Sequence, residues 1–177
     1  WVKRRRKNKD MESFNVKDVK RFMAKLLLHE DFDQYEVQEA EIVTDIVFKI
    51  DGHVHKSFYS EEEYEELGCP LLIKWKKLRP ICYEIIKGKR TPVKFRFVLK
   101  LAEEELREIT DGLELGFTRQ DIGGLYLNIV FENGKLNCIT GTSLNIFTMD
   151  KTLERVWDKR VAIELERTEK DENINKV

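Results

Sequence analysis

The residues with the most evident chemical reach are His53 and His55, two positions apart just after Asp51-Gly52. On an extended segment alternate side chains share a face, so both imidazoles point the same way, where Cys69 or a carboxylate would extend them toward a zinc ligand set. Two ligands do not make a site, and such a pair more often sits on a strand as partly exposed side chains. Cys82 and Cys138 are the candidate nucleophiles. A thiol reacts as its thiolate and needs a base such as His29, His53 or His55, and nothing in the sequence brings one to either cysteine. The chain has three cysteines and no C-x-x-C spacing, which argues against a disulfide framework and a ribbon-type zinc site, and for a reducing, cytoplasmic setting. Neither G-x-x-x-x-G-K nor G-x-G-x-x-G occurs, so nucleotide hydrolysis is not expected. The acids of Glu61 to Glu66 and Glu103 to Glu108 read as helix N-terminal and solvent-facing groups, not as a poised acid and base. No catalytic residue, metal or cofactor is assigned, and a non-enzymatic domain is expected.

A second kind of chemistry lies in charge. Lys74, Lys76, Lys77, Arg79, Lys87, Lys89 and Arg90, continued by Lys94, Arg96 and Lys100, are opposed only by Glu84. Such a density can neutralise several phosphates and release their counterions, which points to nucleic acid or another anionic partner. Trp75 and Tyr83 are interleaved and can stack on bases if exposed. The competing reading has the same cations answering the acidic stretches within the molecule, with Trp75 and Tyr83 in the core. Two other classes stay open. One is a protein-interaction or self-associating module acting through its hairpins or its last helix; the other is a metal-dependent enzyme at His53 and His55.

The elements that must position these residues follow from pattern. At 41% hydrophobic and 37% charged, the chain has the apolar content for one core and an unusually charged surface. No run approaches the roughly 18 to 20 apolar residues of a bilayer crossing. Six of the first ten residues are basic. They read as a disordered extension, with Met11 as an expected start, or as a basic arm able to touch nucleic acid or anionic lipid. Residues 11–170 are expected to form one domain, followed by a tail over 171–177.

A helix capped by Ser13 or Asn15 should carry Val16, Val19, Phe22, Met23, Leu26 and Leu27 on one face. The alternation from about Tyr35 through Ala40, Ile42, Phe48 and Ile50 predicts one long strand, turning at Asp51-Gly52 into a partner over His53 to Tyr59. Ser60 to Glu63 is a capping box for a short helix closed by Gly68. Leu71 to Lys87 reads as helix with a break or restart at Pro80. Val93 to Leu101 is a half-buried strand, and Ala102 to Ile109 a helix. Residues 111–124 form an irregular connection. A second hairpin turns at Asn133-Gly134, and a helix from Asp150 carries Leu153, Val156, Trp157, Val161 and Leu165. The class is α+β, a mainly antiparallel sheet of two hairpins plus an additional strand, covered by helices.

The stretch Asp45-Ile46-Val47-Phe48 before Asp51-Gly52 is echoed by Asn128-Ile129-Val130-Phe131 before Asn133-Gly134. This suggests two similar halves, 11–70 and 71–150, with a C-terminal helix over 150–168. In that order of strand, helix and long hairpin, Phe95 to Ile109 followed by Leu125 to Thr140 resembles half of a DNA sliding-clamp domain. The resemblance implies inner-surface counterparts in Lys17, Lys20, Arg21 and Lys25, or in Lys74, Lys76, Lys77 and Arg79. The chain has room for one such domain where a clamp subunit strings two or three. As a whole, the sequence resembles a small bacterial family of uncharacterised proteins.

Overall fold

The structure, a computed structural model, describes residues 11–170. The basic extension over 1–10 and the tail over 171–177 lie outside the described residues. Seven strands form one sheet in the order β1-β7-β6-β5-β2-β3, with β4 also paired to β2, and every pairing is antiparallel. The strands are β1 (Ser13–Val16), β2 (Tyr35–Val43), β3 (Val47–Asp51), β4 (Ile73–Lys74), β5 (Lys94–Leu101), β6 (Ile122–Glu132) and β7 (Lys135–Leu144). The helices are α1 (Val19–Leu28), α2 (Glu61–Glu66), α3 (Trp75–Ile86), α4 (Glu103–Thr110) and α5 (Thr152–Lys170), with 3-10 turns at Lys56–Phe58 and Arg119–Asp121. The expected α+β class holds. No helix among the described residues is long and apolar enough to cross a membrane.

Strand alternation builds the core. Phe95, Phe97 and Leu99 stand opposite Phe131, Ile129 and Leu127, which in turn oppose Leu136, Cys138 and Thr140. Phe95 stacks on Phe131 and on Phe97, both at 5.1 Å between centroids. Against this face pack Phe22 and Leu26 of α1, Trp75, Leu78 and Cys82 of α3, and Trp157, Val161 and Leu165 of α5. The opposite face of β5 carries Lys94 and Arg96, and β2 answers them: Lys94 reaches Glu41 at 3.1 Å and Arg96 pairs with Glu39. The Lys94 hydrogen bond holds the Glu41 carboxyl below its ordinary range. The basic run of the sequence is thus partly balanced across strands, at Lys94 and Arg96 by acids of β2 and not by the stretches Glu61 to Glu66 and Glu103 to Glu108.

Four expectations need correction. The first is the turn between β2 and β3, which is Thr44-Asp45-Ile46 and not Asp51-Gly52; Thr44 N–H donates to the Ile46 carbonyl at 2.9 Å. Ile42 pairs with Phe48 and Ala40 with Ile50, so the inward-facing residues keep even numbers through the turn. The alternation therefore runs across it without a break and mimics one strand. His53 to Tyr59 is not a strand but an isolated bridge at His53 followed by the 3-10 turn. Second, the first helix is capped by Asp18, whose side chain accepts from Arg21 N–H at 3.0 Å, because Ser13 to Val16 is a strand on β7.

Third, α3 runs through Pro80. Proline forfeits the bond to the carbonyl four residues back, but Pro80 and Lys76 are both exposed, where water can replace it. Fourth, Gly123-Gly124 belongs to β6 and not to the connection over 111–124. The two halves do not repeat in their pairing either. The β5 strand neighbours the hairpin that follows it, whereas β1 pairs with β7 at the far side of the chain.

Candidate functional site

Where β3 ends, it peels away from β2, and β4 takes over the pairing: Ile73 stands opposite Val37 and Lys74 opposite Glu36. Gly52 bridges the exchange. Its N–H donates to the Gln38 carbonyl at 3.1 Å, beside the bulge between Val37 and Glu39, and its carbonyl accepts from Ile73 N–H at 2.8 Å. Val54 N–H then donates to the Leu71 carbonyl at 2.9 Å, and His53 bridges Leu72. Residues 55–70 are thereby forced out of the sheet as an excursion whose two ends are tied together.

The excursion has its own fastenings. The Ser60 hydroxyl accepts from Glu63 N–H and the Glu63 carboxylate from Ser60 N–H, at 3.2 and 2.8 Å, which is the expected capping box. Gly68 leaves α2 at φ +76°, a conformation that glycine adopts without strain. The Tyr64 hydroxyl donates to the Pro70 carbonyl at 3.0 Å, and Lys56 Nζ lies 5.8 Å from the Tyr64 ring centre.

Between this excursion and the first turns of α3 is a cleft of about 780 Å³. Its floor is apolar, made by Ile50, Val54, Leu72, Ile73 and Leu78. Its outer wall is Phe58 and Tyr59, whose rings meet edge to face at 5.1 Å, with Leu67 and Pro70. Phe58 is 81% exposed, an unusual position for a phenylalanine that has no partner to cover it. The polar side chains at the cleft, besides the Tyr59 hydroxyl, are Asp51, His53, His55, Ser57, Lys74 and Lys77.

The sequence-derived candidates are divided by this geometry. His53 and His55 both line the cleft, yet among the described residues no three His, Cys, Asp or Glu side chains are grouped to hold a metal ion. The His53 ring is engaged instead by Asp51, Nδ1 to Oδ1 at 2.5 Å. Hydrogen bonds from the His53 N–H and ring hold the Asp51 carboxyl below its ordinary value. Of the basic candidates, Arg79 grips Asp33 at 3.0 and 3.4 Å and braces α3 against the approach to β2. Lys87 pairs with Glu84 at 2.6 Å, and Lys74 lies 3.8 Å from Glu36 and 3.9 Å from Glu104. Burial raises the Glu36 carboxyl, with Lys74 opposing the shift. Lys76, Lys77, Lys89 and Arg90 are exposed and have no carboxylate partner among the described residues.

Trp75 is fully buried, its indole N–H donating to the Leu26 carbonyl at 2.9 Å, so it is core and offers no stacking platform. Tyr83 is half-buried against the core. Cys82 and Cys138 are buried, and burial pushes the Cys82 thiol up to about 12 and raises that of Cys138 too, which makes both poor nucleophiles.

Two features escaped the sequence reading. The aromatic wall of Phe58 and Tyr59 was hidden because the segment alternated like a strand. Glu164, one residue before buried Leu165 on the apolar stripe of α5, faces inward to Tyr35 at 3.1 Å. An acid at the border of such a stripe was the available signal.

No curated protein and no solved structure matches the chain. With residues 25–171 matching the model of the Family of unknown function (DUF5721), the chain belongs to that family.

Proposed function

We propose that the domain is a binding module whose ligand is an anion with an apolar body, seated in the cleft between the 55–70 excursion and α3. The observation that supports it is the coincidence of an apolar floor of ligand-sized volume with Lys74 and Lys77 at its edge. Ligand sites characteristically combine an apolar lining with a few placed polar groups. An apolar body would displace water from Ile50, Val54 and Leu72, and the negative group would sit on Lys77, which no carboxylate of the described residues neutralises.

A second reading, nucleic acid, is favoured by the exposed, uncompensated Lys76, Lys89 and Arg90. A single strand would lay its phosphates on these residues and place one base against Phe58 and Tyr59.

Titration with 1-anilinonaphthalene-8-sulfonate, an apolar anion that fluoresces in apolar sites, tests the first reading on the natively folded chain. Wild type is expected to bind it. Lys77→Glu should weaken binding about tenfold and Phe58→Ala about fivefold, corresponding to about 1.4 and about 1 kcal/mol in a partly screened site. Enhancement absent in wild type, or unchanged by both substitutions, would overturn it. Anisotropy of labelled single-stranded DNA at low and near-physiological salt tests the second. Salt-sensitive binding that Lys76→Glu/Lys89→Glu/Arg90→Glu abolishes selects nucleic acid, and no binding at low salt rejects it.

A further inference from the structure

A second groove, of about 790 Å³, separates α5 from the segment that enters β2, and it shares no residue with the first. Its α5 side carries Lys159, Arg160 and Arg167; its other side carries Asp31 and Gln34. Glu164 projects into it from α5, accepting hydrogen bonds from Gln34 Nε2 at 2.8 Å and the Tyr35 hydroxyl at 3.1 Å. Tyr35 is fully buried, so its hydroxyl needs this acceptor.

The charges around Glu164 come from every neighbouring element. Arg160 and Arg167 lie one turn away on either side, and Lys159 is beside them. Asp31 is tied to Lys25 of α1 at 3.4 Å. Glu105 of α4 holds Arg160 at 2.8 Å. Cys138 of β7 lies behind Tyr35 as a neutral thiol. Lys159 and Arg167 have no carboxylate partner among the described residues, and both are exposed. The fold thus points two uncompensated cations, and a third already oriented by Glu105, into a groove that also holds a half-buried acid.

We propose that this groove binds an oxyanion on Lys159, Arg160 and Arg167, a carboxylate or a tetrahedral sulfate- or phosphate-like group, and that Glu164 sets its occupancy by holding or releasing a proton. Ionised, Glu164 places a negative charge beside the ligand in a medium less screening than water. Protonated, it removes that charge, leaving Lys159 and Arg167 to the ligand while Arg160 stays paired with Glu105 and Asp31 with Lys25. Burial, against the hydrogen bonds from Tyr35 and Gln34 and the Arg160 charge, pushes Glu164 from an ordinary 4.5 up to about 7. The change therefore falls in the neutral range. Because the folded state holds this proton more tightly than the unfolded chain, the associated stability is present in full below about 4.5 and is lost as pH rises through about 7.

Sulfate and acetate are suitable probes, since neither changes charge between about pH 6 and about pH 8. Each is titrated into the full isotope-labelled chain at both pH values, with ionic strength held by chloride and binding read from NMR shifts of groove residues. Sulfate against acetate distinguishes a tetrahedral from a carboxylate ligand. Binding is expected to be about fivefold tighter at the lower pH. Lys159→Gln/Arg167→Gln, at two exposed positions, should weaken it at least about tenfold, and Glu164→Gln should bind with the low-pH affinity at both pH values. In wild type, saturating anion must also raise the midpoint of the Glu164 carboxyl titration, a readout that needs no variant at that site. No shift with either anion at the lower pH, full binding by the double variant, or a Glu164 midpoint indifferent to the anion would overturn the proposal.

Discussion

Trp75→Ala should lower the urea midpoint of unfolding drastically, with a stability loss of about 3–5 kcal/mol, the range for truncating a fully buried aromatic side chain. The indole is fully buried, with its ring 5.1 Å from that of Phe97. Removing it opens a void between α3 and the sheet that surrounding side chains, held by their own contacts, fill only in part. The indole N–H also serves Leu26, whose carbonyl lies in the last turn of α1, where helical partners run out. Trp75→Phe therefore separates the two contributions: most of the packing remains, the carbonyl is left unsatisfied, and a loss of about 1–3 kcal/mol is expected. If Trp75 were a base-stacking residue, alanine would leave the midpoint near that of wild type and weaken only nucleic-acid binding. A wild-type midpoint for Trp75→Ala would refute the placement of α3 described above.

Gly52→Ala is expected to cost about 3 kcal/mol or more, at the upper end of the range for forcing atoms into a packed region, because the obstacle is backbone. A Cβ at this position would fall within bonding range of the Val37 carbonyl oxygen and 2.6 Å from its carbon. Relief requires β2 to move at its bulge or Gly52 to retreat. A retreat breaks the bonds to Gln38 and Ile73 that let β4 replace β3. The same substitution should then abolish 1-anilinonaphthalene-8-sulfonate binding, since those bonds anchor the floor of the cleft. Gly134→Ala is the control. Gly134 has φ +72° in the β6–β7 turn, with nothing within 4 Å of an added Cβ, so only the conformational penalty applies, about 1 kcal/mol. Thermal or urea unfolding of both variants reads the contrast, and a Gly52→Ala protein as stable as Gly134→Ala would overturn the crowding argument.

Gly52 also shows where sequence reasoning reaches and where it stops. Asn133-Gly134 and Asp51-Gly52 are both dipeptides of the kind a tight hairpin turn prefers, and only the first is a turn, with φ +53° at Asn133. In the first, the dipeptide chemistry and the hairpin coincide. In the second, glycine is present because two backbones converge, and the real turn at Thr44 to Ile46 contains no glycine. The basic segment divides similarly. That lysines and arginines crowd between Lys74 and Lys100 is plain in the sequence, but whether each has a carboxylate depends on strand neighbours such as Glu41 for Lys94 and on loop approaches such as Asp33 for Arg79.

By itself the sequence determined the α+β class, the amphipathic stripes of β5 and α5, the α2 capping box and the Asn133-Gly134 hairpin. Each depends on residues a few positions apart, whose interactions are nearly independent of the rest of the chain. Only the tertiary structure decided that β1 joins the sheet as an edge strand on β7, that Trp75 is core, that His53, Lys77 and Phe58 share a cleft, and that Glu164 meets Tyr35 from 129 residues away. Those outcomes depend on which surfaces pack together. Packing is settled by the joint burial of the whole apolar set, a property no local window of sequence contains.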